Sequence, residues 1–300
     1  MSAPGKTAGA SAPAASRRQR IALVLGSGGA RGLAHIGVIR CLRERGFDIC
    51  YISGCSIGAL IGGIHAAGKL EEYTEWVCEL QRLDVLRLLD WSFRRGALFA
   101  GERVVRELKQ LVGELDIEEL PIGFTAVATE LMTGREIWLS RGPLWDAVRA
   151  SMAVPMVFSP VVMDGQILVD GGLVNPIPMA PALNAASAWV VAVDLNGRAE
   201  RQQTRGPWGG GRPMLEQLRA GRAKLAGGAA PETPGMFDLA LRSMDAMQIT
   251  IARMKLAAYS PRLTIGIPRD LCTFFEFHRA RELIEFGYQR ARACLEREGY

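Results

Sequence analysis

The chain has 300 residues, 49% of them apolar and 22% charged, with a formal net charge of +5. That is enough chain to bury a sizeable core in one large domain or two small ones. No stretch reaches the roughly 18 uninterrupted apolar residues of a membrane-spanning helix, and residues 1–20 lack the apolar segment of a secretory signal. Arg17–Arg18 is followed only by the short run Ile21–Leu25, too little for twin-arginine export.

The excess positive charge is not spread over the chain. Residues 1–20 hold Lys6, Arg17, Arg18 and Arg20 with no acid, and residues 198–224 hold seven basic residues against Glu200 and Glu216, leaving the rest of the chain at −4. A basic groove for nucleic acid is therefore not expected. A peripheral, salt-sensitive contact with an anionic membrane surface is, through those two segments. The six cysteines (Cys41, Cys50, Cys55, Cys78, Cys272 and Cys294) form no CxxC pair. They read as reduced thiols of a cytoplasmic protein, peripheral at most to the inner face of the membrane. The sequence leaves the oligomeric state open.

In chain order, residues 1–20 are rich in Ala, Ser, Pro and Gly and read as a disordered tail, with the domain proper over 21–300. Ile21–Leu25 is a short aliphatic run bounded by glycine, suited to a buried parallel strand. A helical pattern follows to Gly46, then a strand at Ile49–Ile52 and a small-residue helix at Ile57–Ala67. Strand–helix–strand–helix within fifty residues predicts an α/β domain with a mainly parallel sheet. Gly123–Thr129 and Arg135–Leu139 read as paired strands. Val161–Met163 and Gln166–Val169 flank Asp164–Gly165, a two-residue hairpin signal, and Ala188–Asp194 is a further buried strand. Residues 198–235, rich in Gly, Arg and Pro, read as a flexible basic insertion. A Met-rich helix over residues 236–258, a strand at Leu263–Ile267 and an amphipathic helix from Phe277 to Arg297 close the chain. The Met-rich helix is read first as a core or dimer-packing helix, with a lid over a lipid entrance as the alternative.

Two strand-to-helix turns carry candidate chemistry. Gly54-Cys55-Ser56-Ile57-Gly58 fits G-x-S-x-G, which alone is weak evidence, but it follows a strand and opens a helix as a nucleophile elbow requires. The competing reading is a serine that merely caps the helix. Gly26-Ser27-Gly28-Gly29-Ala30-Arg31-Gly32 fails as a P-loop, having no following lysine, and fails as a dinucleotide fingerprint, having Arg31 at the sixth position. It remains as a loop whose backbone amides could converge on an oxyanion, with Arg31 holding the loop or pairing with an anionic headgroup. Packing alone is the alternative.

A serine nucleophile needs a base. His35 precedes Ser56, His65 lies about 13 Å along the same helix, and His278 sits in an aromatic-rich helix start. All three read as structural, with His278 kept as the third member of a conventional triad. Asp170-Gly171-Gly172, at the end of a hairpin strand, is the better candidate, and Asp194 the second. A carboxylate is a weak base at its usual pKa of about 4, so it must be partly desolvated or must act as the proton is lost in the transition state. Cys55, beside the serine, is expected to point into the core. No cluster has metal-ligand spacing, and no cofactor is expected.

Four blocks in order, Gly26–Gly32, Gly54–Gly58, residues 150–160 (ASMAVPMVFSP) and residues 170–178 (DGGLVNPIP), resemble the patatin-like phospholipases, most closely the compact bacterial branch called RssA-like. The resemblance runs from about Ile21 to the final helix. It implies a three-layer α/β/α sandwich around a mainly parallel sheet, with a Ser–Asp dyad and no catalytic histidine. It implies Ser56 as nucleophile, Asp170 as general base, and Gly28, Gly29 and Arg31 in the oxyanion-hole loop, flanked by Gly26 and Gly32. Gly54 and Gly58 would form the elbow, and Gly171 and Gly172 the rest of the DGG motif. Ser27 stands where many members have Gly, and Cys55 where Thr is common. The implied activity is hydrolysis of carboxylic ester bonds in lipids through an acyl-enzyme. The alternative is a regulatory or interaction protein that keeps the fold with little turnover.

Overall fold

Short aliphatic runs punctuated by glycine form the centre of the molecule. The structure, a computed structural model, describes residues 19–88, 90, 97–184, 189–199 and 235–300. Nearly all of the expected tail and of the expected basic insertion lies outside these residues. The elements are β1 (Arg20–Leu25), α1 (Ala34–Glu44), β2 (Asp48–Cys55), α2 (Ile57–Ala66), α3 (Leu70–Glu79), α4 (Arg82–Leu88), β3 (Ala97–Phe99), α5 (Glu102–Val112), β4 (Gly123–Glu130) and β5 (Arg135–Leu139). They continue with α6 (Leu144–Ser151), β6 (Met156–Phe158), β7 (Val161–Met163), β8 (Gln166–Asp170), α7 (Met179–Asn184), β9 (Trp189–Gly197), α8 (Met236–Tyr259), β10 (Leu263–Pro268) and α9 (Ala280–Arg297).

The main sheet has the order β10-β9-β1-β2-β4-β8-β7, with β5 also paired to β4. From β10 to β4 every pairing is parallel, whereas β5 and β8 join β4 antiparallel. Five parallel strands buried on both faces explain why β1 and β9 read as continuous apolar runs and not as alternations. The β7–β8 hairpin turns at Asp164 and Gly165, both with positive φ (49° and 75°), as a two-residue hairpin turn demands.

Helices cover both faces, giving three layers. On one face Ile21, Leu23, Leu25, Ile52 and Phe124 pack with α1, α2, α6 and α9 in the larger core. On the other, Ala22, Val24, Val190 and Ala192 meet α7 and two residues of α8, Ala252 and Leu256. Each fully buried Ile or Leu contributes up to about 1.5–3 kcal/mol, so the larger core dominates stability. Ala252 is the only residue of α8 with a described side chain that is fully buried, so the core-helix reading gives way to a surface helix laid across the thin layer.

Two further differences have physical causes. The second strand runs on through Ser53-Gly54-Cys55, which looked like a turn, because β1 and β4 pair with it on either side as far as those residues. The helices α3 to α6 were not read from the sequence at all. Of these, α5 packs Val104, Val105, Leu108, Leu111 and Val112 on the larger core over only three turns.

In this core α2 approaches β1 backbone to backbone. A Cβ on Gly58 would lie 2.1 Å from the Leu25 carbonyl oxygen, and one on Gly54 would lie 2.4 Å from the Gly58 carbonyl oxygen. Backbone faces backbone here, so neither neighbour can yield. Gly58→Ala is expected to cost at least about 3 kcal/mol in urea unfolding. An unchanged midpoint would show that α2 tolerates displacement from β1.

Candidate active site

The topology brings two chain segments to one point. Val127 and Ala128 each pair with β5 on one edge of β4, so β2 and β8 share the opposite edge. The parallel strand β2 ends at Cys55, opposite Val127, and the antiparallel strand β8 ends at Asp170, opposite Ala128. Two strands running toward each other along one edge thus deliver Ser56 and Asp170 to adjacent positions, 114 residues apart in sequence. Both are buried, Ser56 at 6% exposure and Asp170 at 2%.

Ser56 holds an unusual backbone, φ 57° and ψ −123°, at the junction of β2 and α2. Such a conformation in a non-glycine residue costs on the order of 1–3 kcal/mol and persists only where its surroundings fix it. Here the Ser56 N–H donates to Ser151 Oγ at 2.9 Å, and the Ser151 hydroxyl donates onward to the Val127 carbonyl at 2.6 Å. Thr129 Oγ1 donates to the Asp170 carbonyl at 3.0 Å. Both members of the pair are therefore pinned to β4 through hydroxyl groups. The α2 N-terminus behind Ser56 adds a partial positive charge that favours developing negative charge.

Asp170 Oδ1 accepts the Gly172 N–H at 2.6 Å and lies 3.8 Å from the Cys55 thiol. Oδ2 is buried without a hydrogen-bond partner among the described residues. The Ser56 hydroxyl is near enough to favour the carboxylate. Burial dominates these terms and pushes the Asp170 pKa up from 3.8 to about 6.

The glycine-rich loop sits at the end of β1, next to β2. The amides of Gly26, Ser27 and Ala30 donate to the carbonyls of Val193, Pro176 and Phe274. Those of Gly28 and Gly29 have no partner among the described residues. Gly29 has φ 57°, and a Cβ there would lie 2.6 Å from the Phe274 ring, so only glycine fits. Three side chains anchor the loop. His35 Nε2 contacts the Gly26 carbonyl at 3.0 Å, and Ser27 Oγ donates to Gln248 Oε1 of α8 at 3.0 Å. Arg31 donates to the Arg269 carbonyl at 2.8 Å and pairs with Asp245 of α8 at 3.4 Å. Arg31 therefore holds the loop and is not displayed to a headgroup. Gly32 packs against Ile57, and Gly171 against the Val127 carbonyl.

The other candidates fall elsewhere. Burial lowers both His35 and His65 to about 4, so they are neutral at working pH, and His278 lies in a groove with Cys78, Leu80 and Arg82. Asp194 lies within β9, two strands from β2, and its Oδ1 accepts the Asn196 N–H. Burial and the neighbouring Asp170 carboxylate raise the Cys55 thiol well above its usual pKa, which removes a thiolate mechanism. Among the described residues no group of His, Cys, Asp or Glu could hold a metal ion. Ser151, Thr129 and Gln248 escaped the sequence reading. Ser151 lies inside the third block, but its partner is 95 positions away and no local pattern announces it.

Two outcomes follow from this geometry. Ser151→Ala should cost about 1–3 kcal/mol in urea unfolding and leave the Ser56 N–H without a partner. It should also slow reaction of Ser56 with a fluorophosphonate; an unchanged rate would show that the elbow holds itself. Because folding raises the Asp170 pKa, the native state binds that proton more tightly. Its buried charge costs nothing below about pH 4 and its full amount above about pH 6. Asp170→Asn should therefore stabilise the protein at pH 7.5 by up to about 3 kcal/mol, with the gain vanishing by pH 4. Calorimetric melting across that range tests the sign.

Similarity to known proteins agrees with this architecture. The patatin-like phospholipase family matches residues 23–183. An uncharacterised NTE family protein of Mycobacterium tuberculosis is 38% identical over 92% of this chain and 91% of its own length. The neuropathy target esterase sws of Drosophila melanogaster is 31% identical over 61% of this chain, but only 13% of that longer protein is covered. Among solved structures, VipD from Legionella pneumophila superimposes with a TM-score of 0.47 and 14% identity over 93% of this chain and 67% of its own, too distant to bear on function. Since the family match takes in more than half of the chain and the mycobacterial relative aligns nearly from end to end, this protein belongs to the patatin-like phospholipases.

Proposed function

We propose that the protein is a serine hydrolase of lipid carboxylic esters, acting as a phospholipase A, lysophospholipase or esterase through Ser56 and Asp170. Family membership supports lipid hydrolysis in general terms. The observation that carries the finer reading is the meeting of β2 and β8 on one edge of β4, which sets the Ser56 hydroxyl beside an unpartnered carboxylate oxygen. Six free cysteines fit a reducing, cytoplasmic setting.

In this reading Asp170, ionised above about pH 6, takes the Ser56 proton as Oγ attacks the ester carbonyl carbon. The Gly28 and Gly29 amides receive the oxyanion. Collapse of the tetrahedral species expels the alcohol, which takes the proton back from Asp170. Water then attacks the acyl-serine, gives a proton to Asp170, and the second collapse returns it to Ser56 Oγ with release of the fatty acid. Burial makes the carboxylate a better base than a surface aspartate while the elbow keeps the nucleophile within its reach.

Fluorophosphonate labelling with peptide mapping tests this. One adduct is expected on Ser56, absent in Ser56→Ala and about 10²–10⁴-fold slower in Asp170→Asn. The wild-type rate should rise with pH through a midpoint near 6. A folded wild type that takes no label would overturn the reading in favour of a regulatory protein on a retained scaffold.

A further inference from the structure

A small apolar cluster stands apart from both larger cores, directly beside the candidate site. Around the buried Phe99 of β3 and Val157 of β6 it gathers Val154 and Phe158 from the segment around β6, Phe274 and Phe275 from the loop after β10, and Leu241 and Met244 from α8. Its position is fixed from two sides. The Phe274 carbonyl accepts the Ala30 N–H at 3.0 Å, and its ring lies against Gly29, whose amide is unpaired. On the other side the Ala153 carbonyl accepts the Asp170 N–H at 2.9 Å, and Val154 is the next residue. The cluster therefore begins where an ester carbonyl would sit. Next to it, Ser27 and Arg31 of the loop pair with Gln248 and Asp245 of α8.

We propose that this cluster is the acyl-chain subsite, taking a long unbranched fatty acyl group, and that Leu241 and Met244 form its movable wall and set chain length. The proposal rests on the reading of Ser56 and Asp170 given above. Ser56 is only 6% exposed, so an ester reaches it only if a covering element moves. The helix α8 is the candidate cover: Ala252 alone among its described side chains is fully buried, Gln248 and Asp245 hold it to the loop by one hydrogen bond and one half-exposed ion pair, and Lys255 pairs with Glu136 of β5 at 3.6 Å. Methionine and leucine make a wall that reshapes at low cost, and the aromatic rings opposite give a firm floor. Four of these eight side chains lie beyond residue 183, outside the stretch matched to the family. Chain-length preference would thus be a property of this chain, separable from the shared chemistry.

The test uses the full chain and 4-nitrophenyl esters from butyryl to dodecanoyl. Met244→Trp should lower kcat/KM for the dodecanoyl ester by about tenfold or more while leaving the butyryl ester within about threefold, since filling an apolar pocket discriminates by size. Met244→Ala, which cannot fail by overfilling, should move the preference toward longer chains. A parallel fall at all chain lengths, or an unchanged profile in variants with retained Tm, overturns the proposal. A readout without turnover separates it from the dyad. Dodecanoate should bind the Ser56→Ala protein in calorimetry, and adding Met244→Trp should weaken that binding about tenfold. If wild type turns over no ester, the dyad reading fails, and fatty-acid binding alone decides the subsite. Binding that Met244→Trp leaves untouched would place the chain elsewhere.

Discussion

One buried carboxylate sets the terms for the rest of the structure. Placing Asp170 at 2% exposure, with one oxygen held by Gly172 and the other unpartnered, raises its pKa to about 6 and costs stability at neutral pH. The protein can hold such a group only where the surrounding backbone is rigid. The shared edge of β4 provides that rigidity, because β2 and β8 are both hydrogen-bonded to it up to the residues that matter. A stability cost concentrated at one residue of an otherwise well-packed sheet is the physical signature of a site and not of a core.

The strain at Ser56 follows the same logic. A serine with φ 57° would relax if its N–H were free, but Ser151 ties it to the Val127 carbonyl. Thr129 does the same for Asp170 from two residues further along the strand. The spacing between the proposed nucleophile and base is thereby inherited from the repeat of one β-strand, which is among the stiffest rulers a protein has. The glycines of the elbow serve this arrangement by letting α2 approach β1 closely enough to start immediately after Ser56.

Much of this was legible in the sequence, and the limits have physical causes. The strands of the parallel half announced themselves because burial on both faces forces unbroken aliphatic runs, and the hairpin at Asp164–Gly165 because its turn needs positive φ. The Ser56 and Asp170 positions were legible as turns after strands. Residue spacing alone did not pair them, since nothing local says that β2 and β8 share an edge; the preference for Asp170 over Asp194 came from its place after a hairpin strand and from the family resemblance. Ser151 and Gln248 were invisible for a related reason: each acts across 95 or more positions, through contacts that leave no periodic trace. The helices α3 to α6 are seven to eleven residues each, and their apolar faces repeat over only two or three turns, so they went unread even where most of the helix is buried, as in α6.

The distribution of rigidity has a consequence for access. Residues that fix the proposed dyad come from β2, β4, α6 and β8, all within the stretch shared with the family. The proposed cover, α8, comes from outside that stretch, and Ala252 alone among its described side chains is fully buried. Local opening free energies scale with buried apolar contact, so α8 can leave its place at a small fraction of the cost of disturbing the sheet. The contact between Ser27 and Gln248 sits on the boundary between these two regimes. The Ser27 hydroxyl thus ties the proposed cover to the glycine-rich loop. A closed site that holds its charge dry and a cover that yields to substrate are compatible only because the two jobs are assigned to different parts of the chain.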